Sequence, residues 1–373
     1  MRFVLFYHSL ISDWNHGNAH FLRGVCSELL ARGHVVEVFE RANGWSLRNL
    51  REAHGSEAVA EFHQAYPRLR STFYEPEELD LDPVLEDADI VIVHEWNDPK
   101  LVARIGRHRR HAAYRLLFHD THHRAVSAPR ELESYDLSEY DGVLAFGEVL
   151  RRIYQERGWA RRVWTWHEAA DTKVFQPAPH VQYPTLDLVW VGNWGDEERT
   201  RELREFLIDP AHALSLRTRV YGVRYPRYAL ESLAQAGIEY AGWVANFHVP
   251  RIFAEARATI HIPRRFYRDC LPGIPTIRVF EALACGIPLV SAPWDDCEGL
   301  FEPGDYLVAR DGGQMQAHLR DLCADPAYAE YLACRGLQTL QARHTCAHRV
   351  QELLTICREL GCHELAMESM PHA

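Results

Sequence analysis

The chain reads as an α/β protein of two parallel-sheet domains, and three observations predict it. Short apolar runs alternate with stretches of helical period, the pattern of parallel strands joined by helical crossovers. The alternation stops at a proline-bearing segment, Asp171-Thr172-Lys173-Val174-Phe175-Gln176-Pro177-Ala178-Pro179, and then begins again. At 373 residues the chain is long enough for two units that each bury a core.

The first strand is expected at Arg2–Ser9. Asn15-His16-Gly17-Asn18 supplies a turn, and Phe21, Leu22, Val25, Cys26, Leu29 and Leu30 then recur at helical spacing until Arg32-Gly33 closes the helix. His34–Phe39 reads as the second strand, followed by strands near Asp89–His94, Tyr114–His119, Gly142–Phe146 and Val163–His167. Beyond the break, strands are expected at Leu186–Trp194, Leu216–Val223, Ile238–Val244, Ala258–Ile262, Pro288–Ser291 and Tyr306–Ala309. Two helices, about Pro326–Arg343 and Cys346–Leu360, finish the chain, and Met367–Ala373 is expected to fray. The predicted division is a first domain at 1–170, a hinge at 171–182, a second domain at 183–342 and a terminal helix at 343–366.

A formal net charge of -11 with no dense basic run argues against a nucleic-acid partner and for small ligands. The apolar start is too short for a signal peptide, and no later run reaches membrane-spanning length, so a soluble protein is expected. Nine cysteines form no CxxC pair, which suits a reducing cytoplasm. Twenty-two histidines include no HExxH and no spaced Cys/His set, so no metal is expected.

The most informative segment is Pro275-Thr276-Ile277-Arg278-Val279-Phe280-Glu281-Ala282-Leu283-Ala284-Cys285-Gly286, a short helix ahead of a buried strand. Proline suits its first turn, Gly286 can take the left-handed conformation that ends it, and Arg278 and Glu281, three apart, share one face. The preceding loop with Gly273 and Ile274 is expected to aim free backbone N–H groups at a phosphate. The competing reading is a buried helix whose Glu281 pairs only with Arg278.

Ligands of open parallel sheets bind beyond the carboxyl ends of the strands, so the other candidates are turns. Gly17 and Asn18 open the first helix and can approach a ligand closely, or form a plain tight turn. His119-Asp120-Thr121-His122-His123-Arg124 gathers three imidazoles, a carboxylate and a guanidinium; His119 and Asp120, nearest the strand end, are the chosen catalytic pair, with Asp120 expected to raise the pKa of an imidazole beside it. A polar loop is the alternative. Gly192 and Asn193 form a turn suited to a diphosphate, with Arg199 its nearest cation, although Asp196, Glu197 and Glu198 make the loop acidic. Arg224 and Arg264 are further cations, and Trp243 with Val244 could cradle a base or belong to the core.

The helix bearing Glu281 resembles the donor-binding helix of nucleotide-sugar-dependent glycosyltransferases with the GT-B architecture, two Rossmann-like domains facing across a cleft. The first turn with Arg32-Gly33-His34, the run Leu300–Val308 and Arg343–Arg349 resemble the CgeB-like group, named for a spore maturation protein. The resemblance implies a hinge at Asp171–Pro179, a last helix crossing back to the first domain, and a glutamate at 281 that holds ribose hydroxyls. It implies a metal-independent transfer from a nucleotide-diphosphate sugar to an unidentified acceptor, with no separate cofactor. Asn18 stands where plant-type inverting relatives carry a catalytic histidine, and an amide is no general base, which favours retention. Gly273 stands where many retaining relatives carry a first glutamate. A GT-B nucleotide-sugar epimerase and a non-catalytic binding or assembly protein are the alternatives.

Overall fold

A computed structural model describes residues 1–178, 184–195 and 197–362. Two all-parallel sheets form, one from strands up to Thr165 and one from strands that begin at Leu186. The first contains β1 (Arg2–Phe6), β2 (Val35–Arg41), β3 (Ser71–Tyr74), β4 (Ile90–His94), β5 (Arg115–Asp120), β6 (Gly142–Ala145) and β7 (Val163–Thr165), in the order β3-β2-β1-β4-β5-β6-β7. The second contains β8 (Leu186–Val191), β9 (Thr218–Tyr221), β10 (Glu239–Tyr240), β11 (Ala256–His261), β12 (Leu289–Ser291) and β13 (Leu307–Val308), in the order β10-β9-β8-β11-β12-β13. Strand order reverses beside β1 and beside β8, where such sheets open a crevice for ligands.

Central strands are apolar because helices cover both faces; every residue of β4 is buried. The edge strand β3 escaped sequence reading because Thr72 and Phe73 are exposed, so no continuous apolar run marks it. Strands β10 and β13 are only two residues each, far shorter than the expected 238–244 and 306–309.

Six helices matter to the site: α1 (Ala19–Ala31), α2 (Trp45–His54), α3 (Glu148–Glu156), α4 (Ile277–Ala284), α5 (Pro326–Arg343) and α6 (Cys346–Glu359). Gly286, at φ +63, follows the end of α4 as its left-handed stop. Asp325 caps α5 by accepting from Tyr328 N, and Thr345 opens α6 with a reciprocal capping box to His348.

The terminal helix does cross back. Trp166 Nε1 donates to Arg349 O at 2.8 Å, Trp164 Nε1 to Glu359 at 3.0 Å, and Arg32 to Ala347 O at 2.9 Å. Ala170, at the entry to the hinge, exchanges backbone hydrogen bonds with His344 O and Cys346 N. One apolar cluster including Phe21, Trp166, Phe175 and Phe280 runs from the first domain past the hinge into the second. Residues 179–182 of the expected hinge, 363–366 of the expected helix and the tail 367–373 lie outside the described residues.

Gly24 marks how closely α1 meets this junction. A Cβ there would lie 2.4 Å from Cys346 Sγ and 2.8 Å from Asp171 Cβ. Gly24→Ala is therefore expected to lower stability by about 1–3 kcal/mol through overpacking. Urea denaturation measures it, and an unchanged midpoint would mean that α1 and α6 do not close on each other.

Candidate functional site

A cavity of about 540 Å³ lies between the domains, lined by residues that follow strands of both sheets. The second domain contributes Gly192 and Asn193 after β8, Arg224 after β9, Trp243 and Val244 after β10, His261 and Arg264 at and after β11, and Thr276, Ile277 and Arg278 where α4 begins. Gly17, Asn18 and neighbours after β1, Trp45 after β2, Trp96 after β4, Thr121, His122 and His123 after β5, and Glu168 after β7 come from the first.

The floor is built by close backbone approach. A Cβ on Gly222 would meet Gly192 O at 2.1 Å, so the turns after β8 and β9 can touch only through glycine. Asn193 ties them together: its Oδ1 accepts from Val223 N at 2.9 Å, and its Nδ2 donates to Asn15 Oδ1 of the first domain at 2.5 Å. Arg199 lies under this turn, donating to Ile262 O at 2.8 Å and to Asn193 O, with its guanidinium 5.2 Å from the Trp190 ring centre. Desolvation, then the charge of Arg264, pushes Arg199 below its ordinary value, so an anion in the cleft would relieve it. Arg264 pairs with Glu198 at 3.1 Å and so answers part of the loop's acidity. Asp196 lies outside the described residues.

His261 has a defined tautomer. Ser291 Oγ donates to Ala292 O, which leaves it to accept from His261 Nδ1 at 2.8 Å, and Nε2 faces Thr276 Oγ1 at 3.1 Å. Burial first, then Arg199, lowers its pKa to about 3, so the imidazole is neutral and fixes Thr276 at the start of α4.

Glu281 departs from expectation. It is fully buried and does not line the cavity. Its carboxylate accepts from Asn246 Nδ2 at 2.6 Å, pairs with Arg278, and lies 3.2 Å from His20 Nδ1 on α1. His20 Nε2 accepts the Asp171 N–H at 2.7 Å, which puts the ring hydrogen on Nδ1, facing Glu281. Burial pushes the Glu281 carboxyl up, but Arg278, His20 and Asn246 outweigh it and hold the group below the usual range. Neither the ribose-facing reading nor the pairing with Arg278 alone describes this arrangement.

The Gly273 loop also differs. Gly273 N donates to Asp295 O at 2.6 Å and is not free for a phosphate. Its Cα packs on Glu298, whose carboxylate accepts from Glu148 N at the start of α3 and pairs with His167 at 3.0 Å. Ile274 is buried against Gly147. Both residues join the domains outside the cavity. Arg278, Thr276, Gly192, Asn193, Arg199, Arg224, Trp243, Val244, Arg264, Gly17 and Asn18 do line it.

On the first-domain side, His119 and Asp120 are buried behind the wall and absent from the lining. Strand β5 continues through Asp120, so both are strand residues and the turn begins one position later. The His119 ring packs against Phe21 and Trp166, and burial lowers its pKa to about 3, the reverse of the expected rise. Asp120 accepts from Tyr154 Oη at 2.9 Å and His122 N at 3.0 Å. Thr121, His122 and His123 take the cleft-facing place. Asn18 donates to Thr121, His122 is lowered to about 2 and His8 to about 4 by burial and nearby arginines, and the exposed rings of Trp45 and Trp96 complete a neutral aromatic wall.

Trp243 lines the cavity with its N–H committed to Asp13 Oδ1 at 3.1 Å and its ring 4.4 Å from that of His54. Asp13 and Glu168 are the two cleft carboxyls that sequence reading passed over. Both follow strands, β1 and β7, so the strand-end rule applied throughout would have reached them.

Among the described residues, no group of three or more His, Cys, Asp or Glu is placed to hold a metal ion, and no helix is long and apolar enough to cross a membrane.

Residues 199–355 match the family model described as glycosyl transferase-like. No curated protein matches the chain in sequence. Solved structures share its fold over nearly the whole length. Sucrose-phosphate synthase from Thermosynechococcus elongatus superposes with TM-score 0.65 at 14% identity, covering 97% of this chain and 99% of its own. An alpha-glucosyltransferase in complex with UDP and a 13-mer DNA containing an HMU base gives 0.67 at 14% identity, with 96% and 99% covered. HepE of Anabaena in complex with UDP and glucose gives 0.67 at 13% identity, again with 96% and 99% covered. The shared architecture is GT-B, as the motifs led us to expect.

Glu281→Ala removes the common partner of Arg278, Asn246 and His20 and leaves Arg278 beside a buried void. Stability is expected to fall by about 3–5 kcal/mol, and by less in Glu281→Gln. Thermal denaturation of both variants checks this; a Glu281→Ala protein as stable as the parent would show that the carboxylate is not the buried junction described.

Proposed function

We propose that this glycosyltransferase of GT-B fold transfers a sugar from a nucleotide-diphosphate donor, of the UDP-sugar kind, to an acceptor held on the first-domain wall. The observation that carries the reading is charge. Four arginines of the second domain, Arg199, Arg224, Arg264 and Arg278, line one cavity in a chain of net charge -11. The same cavity is lined by Thr276, Ile277 and Arg278 at the N-terminus of α4, where no side chain caps the helix and its dipole favours an anion. Fixed positive charge at that place stabilises the diphosphate as it departs, which is the main electrostatic demand of glycosyl transfer.

The acceptor would rest against Trp45, Trp96 and the neutral imidazoles, positioned toward the anomeric carbon. His119 and Asp120 then act by holding this wall from behind. Glu281 sets Arg278 and the start of α4 and does not itself grip the ribose. Charge neutralisation by guanidinium groups is the basis on which we propose a metal-independent reaction. Retention is the proposed stereochemical course, because Asn18 occupies the turn as an amide that donates to Thr121. The resemblance of its motifs supports our reading of the chain as CgeB-like, and we take a reducing cytoplasm as its setting.

Incubation with UDP-glucose and candidate acceptors should release free UDP. Arg264→Ala is expected to weaken UDP binding by about 1.5–3 kcal/mol, the value of a charge-assisted hydrogen bond. Calorimetry reads this directly; full UDP affinity in the folded variant would move the diphosphate away from Arg264.

A further inference from the structure

We infer that Glu168 stands protonated in the cleft and donates its O–H as a hydrogen bond to an oxygen of the nucleotide-sugar donor. The inference rests on the donor reading above and adds a residue to it. Glu168 is 3% exposed yet lines the cavity, and its Oε1 has no hydrogen-bond partner among the described residues. Buried polar atoms are nearly always paired, so an orphaned one at a cavity wall marks a place that a ligand completes. The backbone there is fixed: Arg349 Nε on α6 donates to Glu168 O at 3.5 Å, and Trp166 returns a bond to Arg349.

The surrounding charges decide which form the carboxyl takes. Glu281 and Arg278 face it from α4, Tyr267 from the Arg265–Cys270 helix, and Arg349 from α6. On its own segment, His167 is occupied by Glu298. Burial first, then the negative charge of Glu281, pushes Glu168 up to about 8, with Arg278 pulling the other way. Glu281 is held ionised by its three partners, so the two carboxyls divide the roles, one anion and one neutral acid. An ionised Glu168 would repel a diphosphate. Protonated, it offers the cleft a donor where it would otherwise present a charge of the wrong sign.

Calorimetric titration with UDP and with UDP-glucose, at a series of pH values above about 7, tests this. Wild-type affinity should be level at first and fall about tenfold per pH unit beyond about 8, because binding then requires uptake of a proton. Glu168→Gln keeps an N–H donor that does not titrate, so it should bind well and lose the fall; Glu168→Ala should bind roughly tenfold or more weakly at neutral pH. A fall seen with UDP alone assigns the contact to a diphosphate oxygen, and one seen only with UDP-glucose assigns it to the sugar. The same fall in Glu168→Gln, or wild-type affinity in Glu168→Ala, overturns the contact.

A ligand-free measurement separates this from the donor reading. A carboxyl whose folded pKa is raised adds stability that is complete below its unfolded value of about 4.5 and is lost as pH rises through about 8. The Tm difference between wild type and Glu168→Gln should therefore decline across that interval. A flat difference overturns the buried proton even where UDP binds. A declining difference with no binding of either probe overturns the donor contact and the donor reading together.

Discussion

A carboxylate sealed between two domains has to find all of its partners in protein, and Glu281 finds them on three separate elements. Arg278 comes from its own helix, Asn246 from the short 3-10 turn that follows β10, and His20 from the first helix of the other domain. His20 can present its hydrogen to Glu281 only because the Asp171 N–H occupies its second nitrogen, and Asp171 opens the hinge. Separation of any of these leaves a buried charge short of partners, which is among the costliest defects a fold can carry. The placement of α1, of α4 and of the segment that begins at Asp171 is thus set together.

Asp13 repeats the device on the other side of Asn246. It pairs with Arg23 at 2.9 Å inside its own domain and accepts from Trp243 Nε1 and Asn246 N of the second. Asn246 therefore contacts both buried carboxylates, one through its side chain and one through its backbone. The cavity itself is electrically lopsided. Its first-domain wall carries imidazoles whose charge has been removed by burial, and its second-domain floor carries guanidinium groups that burial cannot neutralise. Such a gradient orders an unsymmetrical ligand, anionic end toward the arginines.

Much of this could be read from the chain, because parallel strands advertise themselves as apolar runs and the turns after them are where ligands gather. Gly17, Gly192 and Asn193, which line the cavity, follow from that rule. What pattern cannot supply is depth and the last residue of register. His119 and Asp120 differ from Thr121 by one or two positions, yet β5 runs through Asp120 and leaves only the following residues to face the cleft. The spacing of Arg278 and Glu281 gave their shared face without revealing that the face is covered by another domain. Gly273 looked like a phosphate loop because its N–H acceptor, Asp295 O, lies 22 residues away in sequence. Asn193, Asp13 and Glu281 take their meaning from partners across the interface, and no local window contains them.

The crossing of α6 has a consequence for biogenesis. This helix covers Trp164, Trp166 and the flank of α1 at Gly24, although it is the last described element to be synthesised. On the ribosome, the first domain emerges with that seam open and stays so until the entire second domain has followed. The apolar surface of that seam is left uncovered until α6 has been made. The second domain, by contrast, has its own strands and helices in hand before α6 appears. The seam of the amino-terminal half is thus closed only by a helix that follows the whole second domain.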